Sequence, residues 1–144
     1  MNNNLWNISL PVKLFDNDIT ADNLFDFICS NETVQELLKN RTLFIINSHN
    51  NNYAMWHITD VTGRVNALYI EGDDLFANVD IFLSTLNGKI TKELYDMLHI
   101  KNNPIFYLTP HGMKNGNKII HINAFTLWHQ PSHGSLSDMN LMSE

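Results

Sequence analysis

A single cysteine, Cys29, excludes an internal disulfide framework and any zinc site built from several thiolates. Basic residues are sparse, nine against fifteen acidic ones, for a formal charge of −6. They stand singly along the chain, so the clustered Lys and Arg of a nucleic-acid footprint are missing. No apolar run approaches the ~20 residues that cross a bilayer, and the opening Met1-Asn2-Asn3-Asn4 has no signal-peptide pattern. Neither membrane nor nucleic acid is therefore expected as a partner. The glycines are not spaced to cradle phosphate. Gly112-Met113-Lys114-Asn115-Gly116 is neither a Walker A loop nor Gly-x-Gly-x-x-Gly, and no nucleotide or other cofactor is expected.

What remains is a chain of 144 residues, 44% hydrophobic and 10% aromatic, the size and composition of one globular domain. It needs no metal or disulfide to hold a core. Asparagine occurs 21 times, a bias typical of AT-rich coding. The Asn-x-Ser/Thr triplets at Asn7, Asn31 and Asn40 follow from that bias and carry no message about secretion.

Ile8, Leu10, Val12 and Leu14 alternate with other residues in the period of a half-buried strand, which Pro11 assigns to an edge or to an outward position. Thr20 is a candidate N-cap for a helix with apolar positions Leu24, Phe25, Phe27 and Ile28, and Cys29 reads as a small buried hydrophobe in its last turn. A break at Ser30-Asn31 caps a second helix over residues 32–40 with Val34, Leu37 and Leu38 inward. Residues 42–46 form a continuous apolar run, the signature of a central strand. Further strands are expected over 53–59, 65–70 and 75–83, the last two joined at Gly72-Asp73-Asp74. Thr85 or Asn87 caps a helix over 89–99 with Ile90, Leu94, Met97 and Leu98 on one face. A strand over 105–108, a turn from Thr109 through Asn117 and a strand over 119–128 complete the pattern. The expected fold is α+β, with a mostly antiparallel, barrel-like β-sheet and flanking helices. It spans one domain over residues 1–134, followed by a polar, flexible tail over 135–144.

Seven histidines could act as base, acid or ligand: His49, His57, His99, His111, His121, His129 and His133. Only His129 and His133 have the i, i+4 spacing of a helical zinc motif. No Glu follows the first of them and Pro131 breaks the helix, so no metal is expected. His57-Ile58-Thr59 and His121-Ile122-Asn123 are similar to the paired His-x-Thr motifs of two-histidine phosphoesterases, although the second lacks its hydroxyl. They make phosphodiester cleavage through His57, Thr59 and His121 one alternative.

The order of elements resembles that of the prohead core protease of T4-type tailed phages, a relative of the herpesvirus assemblin fold. Phe15-Asp16-Asn17-Asp18, the helical stretch 20–40 and the strand leading to Ser48-His49 match that family's turn, helix and histidine-bearing strand. Gly72-Asp73-Asp74 matches its hairpin, and Gly88-Lys89 its next helix. Leu108-Thr109-Pro110-His111-Gly112-Met113 matches the nucleophile strand, aliphatic-Ser-Ser-Arg-Gly-aliphatic-Gly. Phe125 to Trp128, followed by Pro131-Ser132, resembles the closing strand and its Pro-Ser element.

The resemblance implies a nucleophile at Thr109 and a base at His49. His57 is the alternative base, with Asp60 as its orienter, because the run from Trp56 to Val65 is similar to another phage protease branch. The departures bear on activity. Thr109 replaces the family Ser and adds a methyl group, and Pro110 removes a backbone N–H where oxyanion donors are wanted. His111 replaces the Arg, and Ile45-Ile46-Asn47-Ser48 lacks the usual acid before His49. A base without its orienter can lose about four orders of magnitude in turnover. The resemblance therefore implies a head-morphogenesis or capsid protein, weakened or inactive as a peptidase. Its expected partners are capsid or scaffold proteins, in the virion or in the assembling prohead within the host cytoplasm. The alternative is an active maturation peptidase using Thr109 with His49 or His57. A homodimer or higher oligomer is expected, with Trp6, Trp56 and Trp128 available for association.

Overall fold

The computed structural model describes residues 4–14, 19–47, 60–98, 106–128 and 135–138. In chain order the elements are β1 (Leu5–Val12), α1 (Ala21–Ser30), α2 (Glu32–Lys39), β2 (Phe44–Asn47), β3 (Val61–Glu71), β4 (Asp74–Phe82), α3 (Leu86–Leu98), β5 (Tyr107–Asn115), β6 (Lys118–Trp128) and β7 (Ser135–Asp138). The expected strand over 53–59 lies outside the described residues. The sheet runs β1-β4-β3-β2-β6-β5-β7, and a further β1–β5 pairing closes the first six strands into a barrel. The barrel is mixed. Ladders β1·β4, β2·β3, β3·β4 and β5·β6 are antiparallel, whereas β1·β5, β2·β6 and β5·β7 are parallel.

Local chemistry explains the helices. Thr20 accepts from the Asn23 backbone N–H and Asn23 returns a bond to the Thr20 N–H, a reciprocal cap that satisfies two orphan donors of α1. Asn31 ends α1 and caps α2 through the Val34 N–H, so one residue sets both boundaries. Leu24, Ile28 and Val34 then seal the barrel interior with Leu43, Ile45, Val65, Val79, Ile81, Leu108, Ile122 and Phe125. Each such side chain contributes about 1.5–3 kcal/mol on burial. Cys29, expected inside, is exposed, because α1 turns Leu24 and Ile28 to the core and Cys29 lies off that face. Thr85 accepts from the Gly88 N–H at the start of α3.

β2 is central, between β3 and β6. Pro11 sits on the strand that closes the barrel. The Lys13 N–H donates to the Leu108 carbonyl at 2.9 Å, so by strand alternation the missing Pro11 donor faces the β5 side, just before the seam begins at Val12. The clearest departure from expectation is β5. Residues Thr109 to Asn115 are strand, and only Gly116 (φ 62°) and Asn117 turn. Pro110 is tolerated for the same geometric reason as Pro11. It shares the orientation of Leu108, turned away from β6 and toward the side where β1 and β7 pair with β5. It therefore removes no donor from the β6 ladder. Ser135–Asp138, assigned from sequence to a polar tail, forms β7 along that edge. Among the described residues no helix is long and apolar enough to cross a membrane.

Candidate functional site

The residues expected to carry chemistry converge on the β5–β6 ladder. Thr109 pairs with Thr126, and His111 with Ala124. These side chains lie on the opposite face from Leu108, Phe125 and Leu127, which point into the core. They are nonetheless covered: Thr109 is 0%, His111 1% and Thr126 2% exposed. The Trp128 indole donates its Nε1–H to Thr109 Oγ1 at 2.9 Å. The candidate nucleophile is thus an acceptor locked under an indole, with no surface open to a peptide carbonyl. The next residue, Pro110, offers no N–H to an oxyanion.

His111 and Asn123 form a pair that their spacing in the sequence does not announce. His111 Nδ1 lies 2.9 Å from Asn123 Oδ1. An amide oxygen only accepts, so Nδ1 carries the proton and Nε2 is the basic nitrogen of the neutral ring. Burial pushes the His111 pKa below its ordinary 6.5, outweighing the upward pull of the bond to Asn123, and the nearby His121 adds a small further lowering. A neutral, oriented imidazole is a competent base, but this one is buried beside a sealed hydroxyl. No sequence signal announces the pair: residues 109–117 read as a turn, and plain alternation puts Asn123 on the opposite face from Ala124, so it is the β5–β6 bulge that brings positions 111 and 123 together.

His49 and His57, the candidate bases, lie outside the described residues, as do Thr59 and the His129-to-His133 motif. The register still places their approaches. Val61, Ile46, Thr126 and Thr109 are successive partners across β3, β2, β6 and β5. Asp60, 9% exposed and adjoining Val61, is thus three ladder steps from Thr109, on the opposite side of the six-stranded barrel. The end of β2 at Asn47, two residues before His49, pairs with Leu127. That places it two strands from β5. Of the phosphoesterase set only His121 is described. It is half-buried opposite Met113, and the amide oxygen of Asn123, in the hydroxyl position of that motif, is taken by His111. Among the described residues no three His, Cys, Asp or Glu side chains gather into a metal-holding set.

Of the three expected aromatic contact residues, the two that are described are engaged within the chain. Trp6 meets Tyr95 edge-on at 4.8 Å between centroids, Trp128 covers Thr109, and Trp56 lies outside the described residues. No known protein family, no curated protein and no solved structure matches the chain.

Proposed function

We propose that the chain is a head-assembly protein of a tailed phage, built on a prohead-protease-like barrel that has lost peptidase activity. It acts by binding capsid or scaffold proteins in the assembling prohead or virion within the host cytoplasm. The observation that carries the loss of activity is the state of Thr109, fully buried and hydrogen-bonded to the Trp128 indole, with Pro110 beside it. The likeness to the assemblin-type fold is part of the same proposal. It is supported by the order of elements: a helix pair between β1 and the central β2, a helix after the β3–β4 hairpin, and the candidate nucleophile on the strand that follows.

The test compares wild type with Thr109→Ser against a scaffold-derived peptide and a serine-directed acylating probe, alongside co-purification with the scaffold and capsid proteins of a tailed phage of the T4 type. Neither form is expected to cleave the peptide or to take the label, and both should bind. Cleavage by wild type that is abolished in a folded Thr109→Ala variant overturns the assembly reading in favour of a peptidase. Absence of binding to either protein overturns it as well.

A further inference from the structure

Helix α3 carries its apolar stripe on the outside. Among the described residues Leu86 is 72%, Ile90 45%, Leu94 36% and Met97 77% exposed. At about 100° per residue these four positions fall within an arc of roughly 80°. The barrel side of the helix is different. Gly88 packs against the Phe82 carbonyl, Thr91 is buried, and Tyr95 lies between Trp6 and Phe106, at 4.8 and 6.5 Å between ring centroids. The sequence pattern that identified the helix is therefore not the face that holds it to the barrel. A continuous exposed apolar stripe of this kind marks an interaction surface.

We propose that the stripe is the interface of a two-fold homodimer in which α3 packs antiparallel against α3 of a second copy. Three features favour a second copy. The stripe is self-complementary: an axis at the level of residues 91–92 brings Leu86 against Met97 and Ile90 against Leu94 of the other helix. The flanking charges are also self-complementary. Lys89 and Glu93 are both exposed on one flank, and antiparallel pairing sets like flanks together, so Lys89 of each copy meets Glu93 of the other within about two residues of helix rise. Finally, the polar side of α3 carries Lys89, Lys92, Glu93 and Asp96, a balanced set, and Lys92 is already bonded to Asp96 at 2.6 Å. A lipid surface would call for a basic polar face, which this helix lacks. With 13 residues, α3 is about 20 Å long. A contact of that length lies at the low end of stable interfaces, so the dimer is weak, with Kd on the order of micromolar. The proposal rests on α3 alone and holds whether or not the head-assembly reading does.

Sedimentation of the full chain across a concentration series tests it. Wild type is expected to pass from monomer to dimer, and Ile90→Glu to raise Kd by at least about tenfold with an unchanged circular dichroism spectrum. If Ile90→Glu loses its fold, Met97→Glu, at a position 77% exposed, carries the same test. Lys89→Glu and Glu93→Lys should each weaken the dimer, and the two combined should restore it, the signature of one charge meeting the other across the axis. A monomer at every soluble concentration overturns the proposal. So does a dimer indifferent to the stripe variants, a charge pair whose single losses simply add, or a monomer that binds neutral phosphatidylcholine vesicles through α3.

Discussion

Thr109 shows how one hydrogen bond changes the meaning of a side chain. At the position of a nucleophile it reads as chemistry; 0% exposed and accepting from Trp128 Nε1 at 2.9 Å, it is a structural polar pair. Buried polar atoms are costly to leave unmade, whereas removing both partners is nearly neutral. Trp128→Phe strips the donor from Thr109 Oγ1 and should cost about 1–3 kcal/mol, as should Thr109→Val, which strips the acceptor from the indole. The double variant should cost clearly less than the sum of the two, with a coupling of about 0.5–3 kcal/mol in urea unfolding. Additive losses would show that the bond does not hold the two strands. Neither the burial nor the bond was legible in the sequence, because Trp128 and Thr109 are 19 residues apart and become neighbours only through the β5–β6 register.

Elements that obey local rules are readable in the sequence, whereas β5 and β7, which depend on tertiary pairing, are not. Thr20, Asn31 and Thr85 announce helix starts by their side-chain oxygens, and Gly72 with Asp73 announces the β3–β4 turn, where Gly72 takes φ 64°. From Thr109 onward the composition of β5 reads as a turn, because Pro110 and Gly112 are turn residues in most settings, whereas the family resemblance places a strand there. Here the nitrogen of Pro110 faces away from the β6 ladder, so the ring costs that ladder no donor, and Gly112 lies so close to the His121 carbonyl that a Cβ would strike it. Close approach, not a turn, requires that glycine. Tertiary pairing also creates the polar staple across β1, β4 and β3. Asp80 accepts from Asn7 Nδ2 at 2.9 Å and from Arg64 Nε at 3.2 Å. Burial alone would raise the Asp80 pKa, but the bonds from Asn7, Asn66 and Arg64, with the Arg64 charge, outweigh it and hold the carboxyl below its usual 3.8. A carboxyl depressed on folding adds stability that is complete above the unfolded value and disappears as pH falls through the folded one. In acid titrations below about pH 4, Asp80→Asn should therefore lose less of its remaining stability than wild type. Parallel acid-unfolding curves for the two proteins would remove Asp80 from the account.

At the scale of the whole molecule, the barrel has one thin seam. β4 is paired on both sides along most of its length, with β1 from Leu75 to Phe82 and with β3 from Asp74 to Ile81. β1 and β5, by contrast, meet at the single register pair Val12–Leu108, supported by the Lys13 N–H bond to the Leu108 carbonyl at 2.9 Å. Parallel pairing is slightly weaker per residue than antiparallel, and one bridge gives little cooperativity. What holds the seam is apolar burial, with Leu108 at 0% and Val12 at 6% exposure. Local opening follows such gradients of contact density. In native-state hydrogen exchange, the Lys13 amide should therefore exchange through a sub-global opening of low free energy. The Val79 amide, in the middle of β4, should exchange only with global unfolding. Leu108→Ala, which leaves a cavity at the seam, should cost about 2–5 kcal/mol in global stability. It should also raise Lys13 exchange under native conditions far more than that of Val79. If Lys13 is instead protected as strongly as Val79, the barrel closes as one cooperative unit and the seam is no weak point.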